Sequence, residues 1–226
     1  MVQSLKAKAH GISLGLFAAD PGNLRASAKM AAGWGCVILH FDVMDGVFVP
    51  GMTAGPGFVG ATDVGLLRDV HLMVEHPERH VSSYVKAGAD IITVHAEADG
   101  ASEAIAAIRA AANTANRPVL AGLGLMPGTP VSDVLNMKPD LILVLSLDPR
   151  TKSPPDIKTA CARVADLRAL YGPQGPVLAF DGGVTLDSIG EIAACQPDMI
   201  VSGSAVLGAP DPQAAYQAMA KACAAR

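Results

Sequence analysis

A histidine and an aspartate stand two residues apart in Leu39-His40-Phe41-Asp42-Val43-Met44. Alternate side chains of an extended strand share one face, so His40, Asp42 and Met44 point the same way. A carboxylate and an imidazole at that spacing serve no local backbone need; facing inward, they converge at the mouth of a barrel. His71, in Val70-His71-Leu72-Met73-Val74, adds a second imidazole from the next strand. Asp181 ends an apolar run and precedes Gly182-Gly183, where the backbone can turn tightly and expose its N–H groups. Two imidazoles and two carboxylates can ligate a divalent transition metal such as Zn²⁺, Mn²⁺ or Fe²⁺.

Other polar residues have plainer readings. His95 reads as a hydrogen-bonded core histidine, and His76 and His80 as solvent-facing residues at a helix entry. Asp45-Gly46 reads as a turn. Met44 and Met73, on spacing alone, are gap fillers of an apolar layer.

The elements that carry these residues alternate. Apolar runs at 11–18, 36–42, 69–74, 90–95, 117–123, 141–146, 177–180 and 199–201 read as buried parallel strands. Alanine-rich helical stretches at 23–32, 78–87, 101–112, 131–136, 157–170, 186–194 and 212–224 separate them. Eight strands of this kind close a (β/α)8 TIM barrel, and polar residues gather at the strand ends as that fold requires. A doubly wound sheet would instead carry GxGxxG after its first strand; this chain has Ala18-Ala19-Asp20-Pro21-Gly22 there. The prediction is an α/β chain forming one barrel domain over 1–226. In such barrels the loops after strands seven and eight often hold phosphate on backbone N–H groups. Gly182-Gly183 and Gly203-Ser204 occupy those two loops.

Composition agrees with a compact fold: 50% of residues are apolar, 17% are charged and the net charge is −4. That balance gives no reason to expect a nucleic-acid or membrane partner. No apolar run approaches a membrane span of about 18 residues, and residues 1–10 lack the apolar run of a signal peptide. Cys36, Cys161, Cys195 and Cys223 lack metal-site spacing and read as buried, reduced thiols of a cytoplasmic protein.

These motifs together are similar to those of the ribulose-phosphate 3-epimerase family. The resemblance rests on the run from His40 to Pro50, on Asp69-Val70-His71-Leu72-Met73-Val74 with Pro77, and on Ile92-Thr93-Val94-His95-Ala96-Glu97. Pro127-Gly128-Thr129-Pro130, Phe180-Asp181-Gly182-Gly183 and Val201-Ser202-Gly203-Ser204-Ala205 follow in order. It implies a barrel of the ribulose-phosphate-binding type that inverts C3 of a ketose phosphate, by default D-ribulose 5-phosphate and D-xylulose 5-phosphate. His40, Asp42, His71 and Asp181 then correspond to ligands of one divalent metal (Zn, Mn, Fe or Co). Asp42 and Asp181 correspond to the two acid–base residues, working from opposite faces through an enediolate that the metal stabilises. Met44 and Met73 match methionines covering that intermediate. His71, Gly182, Gly183, Gly203 and Ser204 match substrate and phosphate contacts. The resemblance further implies a sugar-phosphate ligand, a role in pentose phosphate metabolism and a homo-oligomer.

The chain departs from the family pattern around the substrate. After strand six the usual glycine-rich loop is replaced by Asp148-Pro149-Arg150-Thr151-Lys152-Ser153-Pro154-Pro155, which is stiffer and poorer in backbone donors. Arg150 and Lys152 are candidate phosphate contacts in its place. Gly15, Met126 and Leu145 stand where the family has serine, asparagine and methionine; Ser13, on the same face as Gly15, should sit deeper. Two alternatives follow: the same chemistry on a different ketose phosphate, or a non-catalytic sugar-phosphate-binding barrel. An aldolase or decarboxylase would need an electrophile such as a Schiff-base lysine in the mouth, and no lysine lies at a predicted strand end.

Overall fold

Eight parallel strands close on themselves in chain order, each hydrogen-bonded to the next and the eighth to the first. The computed structural model describes residues 1–224 except Ala54, Leu135 and Lys152, and except the side chain of Asp133. The strands are β1 (Gly11–Gly15), β2 (Ile38–Met44), β3 (Leu67–Met73), β4 (Ile91–His95), β5 (Leu120–Leu125), β6 (Leu141–Leu145), β7 (Val177–Asp181) and β8 (Met199–Ser202). Around them run α1 (Val2–Lys6), α2 (Leu24–Gly33), α3 (Pro56–Ala61), α4 (Val81–Lys86), α5 (Ala101–Thr114), α6 (Ile157–Tyr171), α7 (Ile189–Ala194), α8 (Ser204–Leu207) and α9 (Pro212–Ala224). This is the TIM barrel expected from the alternation.

Strand alternation divides the core into two apolar layers. Outward residues such as Leu39, Phe41, Val70, Leu72, Ile92, Val94 and Phe180 pack under the helices. Helix α5 answers with Ala104, Ile105, Ile108 and Ala112, spaced to form one stripe. Inward residues Ile38, Ile91, Leu120, Leu141, Leu143, Val177, Ala179 and Met199 fill the axis of the barrel. Above them the β2–β4 wall turns polar, with His40, Asp69, His71, Thr93 and His95 all buried. The β6–β8 wall carries the apolar Leu145 and Val201 beside Asp181. Leu143, 1% exposed on the axis, tests this layer. Leu143→Ala should cost about 2–5 kcal/mol of stability, the range for a large-to-small change in a tight core, measured by urea unfolding. A loss under about 1 kcal/mol would mean that the axis is loosely packed.

Several boundaries differ from the sequence expectation. The first strand stops at Gly15, not at 18, and Leu16–Ala18 forms a 3-10 turn; an apolar run cannot by itself separate the two. The fifth begins at Leu120 because Pro118 has no N–H to give a ladder. Residues expected as helix at 78–87 divide into a 3-10 turn, Pro77–Arg79, and α4. The short helix expected at 131–136 is the 3-10 turn Val131–Val134, Leu135 lying outside the described residues. Helices α1, α3 and α8 have no counterpart in the sequence expectation, being too short to show periodicity. The thiols need correction as well. Cys36 and Cys223 are buried, but Cys161 and Cys195 are partly exposed and their Sγ atoms lie 2.6 Å apart, joining α6 to the end of α7. No helix among the described residues is long and apolar enough to cross a membrane.

Candidate active site

The seven-pair register between β2 and β3 sets Asp42 beside His71, and β6 pairs with β7 so that Leu145 neighbours Asp181. His40, Asp42 and His71 therefore meet Asp181 at the C-terminal mouth of the barrel, where the active sites of this fold sit. His40 Nε2 lies 3.2 Å and His71 Nδ1 3.1 Å from Asp42 Oδ1, and His71 Nδ1 lies 3.6 Å from Asp181 Oδ2. One nitrogen or oxygen from each of the four lies within 4.8 Å of the others. Two imidazoles and two carboxylates so gathered suit one divalent transition ion, so the donor set fits the metal that the sequence implies.

The far nitrogens of both histidines are engaged by groups that the sequence reading passed over. His40 Nδ1 is 2.7 Å from Asp69 Oδ2, and the Ser13 hydroxyl donates to the same oxygen at 3.0 Å. Ser13 thus lies below the mouth, holding Asp69. His71 Nε2 is 2.8 Å from His95 Nε2, and His95 Nδ1 is 3.0 Å from Glu97 Oε2. The signal was present: Asp69 precedes His71 by two, and Glu97 follows His95 by two, the same spacing that joined His40 to Asp42.

Burial favours the neutral form of both mouth carboxyls, but their surroundings separate them. At Asp42 the adjacent His40, then His71, overcome burial and hold the pKa well below the usual carboxylate range. At Asp181 burial and the nearby Asp42 anion push the pKa up, against the pull of His40, His71 and the Gly182 N–H. Burial opposes a charge on His40, yet Asp69 and Asp42 keep its pKa well above normal. For His95 burial dominates and lowers the pKa to about 4, with Glu97 opposing. Glu97 is lowered to about 2 because the hydrogen bond from His95 and those from Thr129 and Met126 outweigh burial. Opposite displacement of two neighbouring carboxyls is the arrangement that lets one act as acid and the other as base.

Asp42 and Asp181 stand where two cavities meet. One, of about 410 Å³, extends over Gly15, Gly182, Gly183, Gly203 and Ser204. The other, about 190 Å³, is walled by Met44, His71, Met73, Leu145, Leu147 and Pro149. Met73 and Met44 belong to an apolar roof with Phe48, Val49, Ala98 and Met126. In the larger cavity Gly182 and Gly183 have φ of +96° and +63°, a turn that most side chains would strain. Gly15 is needed too: a Cβ there would stand 2.9 Å from Gly203 Cα. The serine usual at that position could not enter without displacing the β8 loop. Ser188 Oγ donates to Gly183 O at 2.8 Å and fixes the turn after β7.

The loop after β6 is self-braced. Arg150 gives Asp148 a two-pronged ion pair, Nη2 to Oδ2 at 2.7 Å and Nε to Oδ1 at 3.0 Å, and its side chain is 44% exposed. Lys152 lies outside the described residues. Leu147 and Pro149 line the smaller cavity, and Pro155 lies against Gly183. Of the other histidines, His80 is exposed and His76 pairs loosely with Glu78 at 3.8 Å. Asp45 forms the expected turn, accepting from the Val47 and Phe48 N–H groups, and also ties down the Glu75 N–H.

Known proteins that resemble this chain point in one direction. Residues 11–207 match the model of the ribulose-phosphate 3 epimerase family. The chain is 35% identical over 219 residues to ribulose-phosphate 3-epimerase of Mycobacterium leprae, covering 92% of each. It is 34% identical to the Escherichia coli enzyme of that name, covering 90% of this chain and 92% of that protein. The chloroplastic ribulose-5-phosphate-3-epimerase of Arabidopsis thaliana is 37% identical, over 88% of this chain and 72% of that protein. Among solved structures, a ligand complex of KGPDC from Streptococcus mutans superposes with a TM-score of 0.72 at 13% identity, covering 96% of this chain and 98% of that one. 3-Hexulose-6-phosphate synthase from Salmonella typhimurium gives 0.68 at 15%, over 95% and 98%. At those identities the structures speak for the fold alone.

Proposed function

This chain belongs to the ribulose-phosphate 3-epimerase family, and we propose that it inverts C3 of D-ribulose 5-phosphate and D-xylulose 5-phosphate with Asp42 and Asp181 as its two bases. It is an isomerase, a ketose-phosphate epimerase. The observation that carries the assignment of roles is the gathering of His40, Asp42, His71 and Asp181 within 4.8 Å, with the two carboxyl pKa values displaced in opposite directions.

In this reading the ketose phosphate spans the two cavities, its phosphate over Gly182, Gly183, Gly203 and Ser204. Backbone N–H groups of the two turns and the first N–H groups of α8 supply the donors. C3 then falls between the carboxylates, whose side chains are 35% and 20% exposed and so reach the substrate. Asp42, whose carboxylate form His40 and His71 favour, removes the C3 proton of one epimer; Asp181, whose acid form burial and the Asp42 anion favour, delivers a proton from the other face. The roles exchange in the reverse direction. His71 positions the substrate oxygens, while Met44, Met73 and Leu145 keep water from the enediolate. A divalent Zn, Mn, Fe or Co ion, held by His40, Asp42, His71 and Asp181, supplies Lewis-acid stabilisation of the developing negative charge. Arg150 is held by Asp148, and Lys152, the other phosphate contact expected from the sequence, lies outside the described residues. We place the molecule in the cytoplasm, as one barrel domain over 1–226 that assembles with copies of itself.

A second reading, the same chemistry on another ketose phosphate, is favoured by one observation. Leu147 and Pro149 occupy the wall of the smaller cavity. Deuterium uptake at C3, followed by NMR in heavy water over a panel of ketose phosphates, separates the two. The expected result is fastest exchange with the pentulose pair. Exchange confined to another ketose phosphate would establish the second reading. No exchange with any of them, in metal-loaded protein, would sink the proton-transfer assignment.

A further inference from the structure

The segment Ile92-Thr93-Val94-His95-Ala96-Glu97 takes no part in the proton transfer, yet it sets a fully buried imidazole against a metal ligand. The two ligand histidines present different nitrogens to the centre. His40 offers Nε2 and gives its Nδ1 proton to Asp69. His71 turns Nδ1 toward Asp42 and Asp181, so a lone pair must stand there if it is to bind a metal. A neutral His71 then carries its proton on Nε2. That N–H points at His95 Nε2, 2.8 Å away, which has to accept it. The His95 proton consequently sits on Nδ1, where it meets Glu97 Oε2 at 3.0 Å.

The opposite tautomer of His95 would set two N–H groups against each other and aim a lone pair at a carboxylate. Glu97 is itself oriented: the Met126 N–H donates to Oε1 at 2.9 Å, and the Thr129 hydroxyl donates to the same oxygen. Arg163 of α6 fastens that loop by donating to the carbonyls of Met126 at 2.6 Å, Pro127 at 2.7 Å and Thr129. Gly124 of β5 is the register neighbour of His95 and packs against its ring.

We infer that Glu97 and His95 are positioning residues that lock His71 in its Nε2–H tautomer and aim its Nδ1 lone pair at the metal. The inference rests on the metal centre proposed above. Partners of this kind typically govern metal affinity as strongly as they govern activity. Glu97→Gln is the sharpest probe because it keeps the shape. With Met126 and Thr129 holding the amide oxygen, the amide nitrogen faces His95 Nδ1 and donates to it. The His95 proton moves to Nε2 and collides with that of His71.

Zinc affinity of the wild type and variants is measured by competition with a chromogenic chelator, with thermal melts reporting folding. Long-range ¹H–¹⁵N correlation of the imidazole nitrogens assigns tautomers in the zinc-loaded wild type. Glu97→Gln and His95→Leu should each weaken zinc binding about 10- to 100-fold. His95→Gln, whose side-chain oxygen can still accept from His71, should recover most of that loss. The spectrum should show His71 protonated on Nε2 and His95 on Nδ1. A folded Glu97→Gln protein with wild-type zinc affinity would overturn the relay while leaving the metal centre standing; a His71 proton found on Nδ1 would overturn the relay and remove His71 from the centre. A wild-type chain that takes up no zinc, manganese, iron or cobalt would overturn both.

Discussion

Asp181→Asn and Asp42→Asn should each abolish inversion at C3, lowering epimerisation by roughly 10²- to 10⁴-fold for the lost proton transfer alone. The informative readout is exchange, not turnover. In the proposed mechanism each carboxylate serves one face of the substrate, so a variant lacking Asp181 retains a base only for the epimer whose C3 proton faces Asp42. It should wash deuterium into that epimer and return it uninverted. Asp42→Asn should exchange the other epimer. The two patterns are therefore complementary, and NMR of each pure epimer in heavy water reads them directly. Both changes also remove a metal ligand, so metal content is measured alongside, with exchange recorded at saturating metal. Inversion within tenfold of the wild type in either variant, or exchange of both epimers by one of them, would sink the two-base assignment.

Removing the metal should have the next largest effect, and on stability as well as activity. The four proposed ligands come from β2, β3 and β7, so an ion held by them would tie together three strands of the barrel. At 100 to 1,000 times its dissociation constant a ligand adds about 2.7–4.1 kcal/mol, which for a chain of this size raises Tm by roughly 5–15 °C. Dialysis against a chelator should reverse that rise and abolish exchange; readdition of metal should restore both. The pH dependence has a definite sign. The surroundings of His40 and Asp181 push both pKa values up in the metal-free protein, so protons compete with the metal at both groups. Affinity should fall as pH falls through those values, with proton release on binding. Calorimetry in two buffers of different ionisation enthalpy counts the protons. Affinity that rises on acidification, or an unchanged Tm on metal addition, would contradict this account.

Much of this site was legible in the residue order alone because strand alternation is a strict rule. His40, Asp42 and Met44 share a face, as do His71 and Met73, and the only question was which face. The same rule would have supplied Asp69 and Glu97 had it been applied outward from each histidine. His95 read as a satisfied core residue, which describes its contacts but not its partner: residue spacing within β4 carries no information about the His71 ring on the neighbouring strand. Arg150 read as a phosphate contact from charge alone, and the fold binds its guanidinium to Asp148, two residues away. The wide separation of Cys161 and Cys195 in sequence hid their proximity, because adjacent barrel helices juxtapose residues 34 apart.

The sequence by itself determined the architecture and the chemistry of the mouth. Eight apolar runs with polar ends admit one closed solution, and a carboxylate beside an imidazole on an inward strand face has few uses besides a metal or a proton. Tertiary structure decided everything that depends on a distance across the barrel. It set which nitrogen each histidine presents, how the Asp42 and Asp181 pKa values separate, and why glycine stands at position 15, where the backbone of Gly203 leaves no room for a side chain. Those properties arise between strands far apart in the chain, and they vary over tenths of an ångström that no residue spacing encodes.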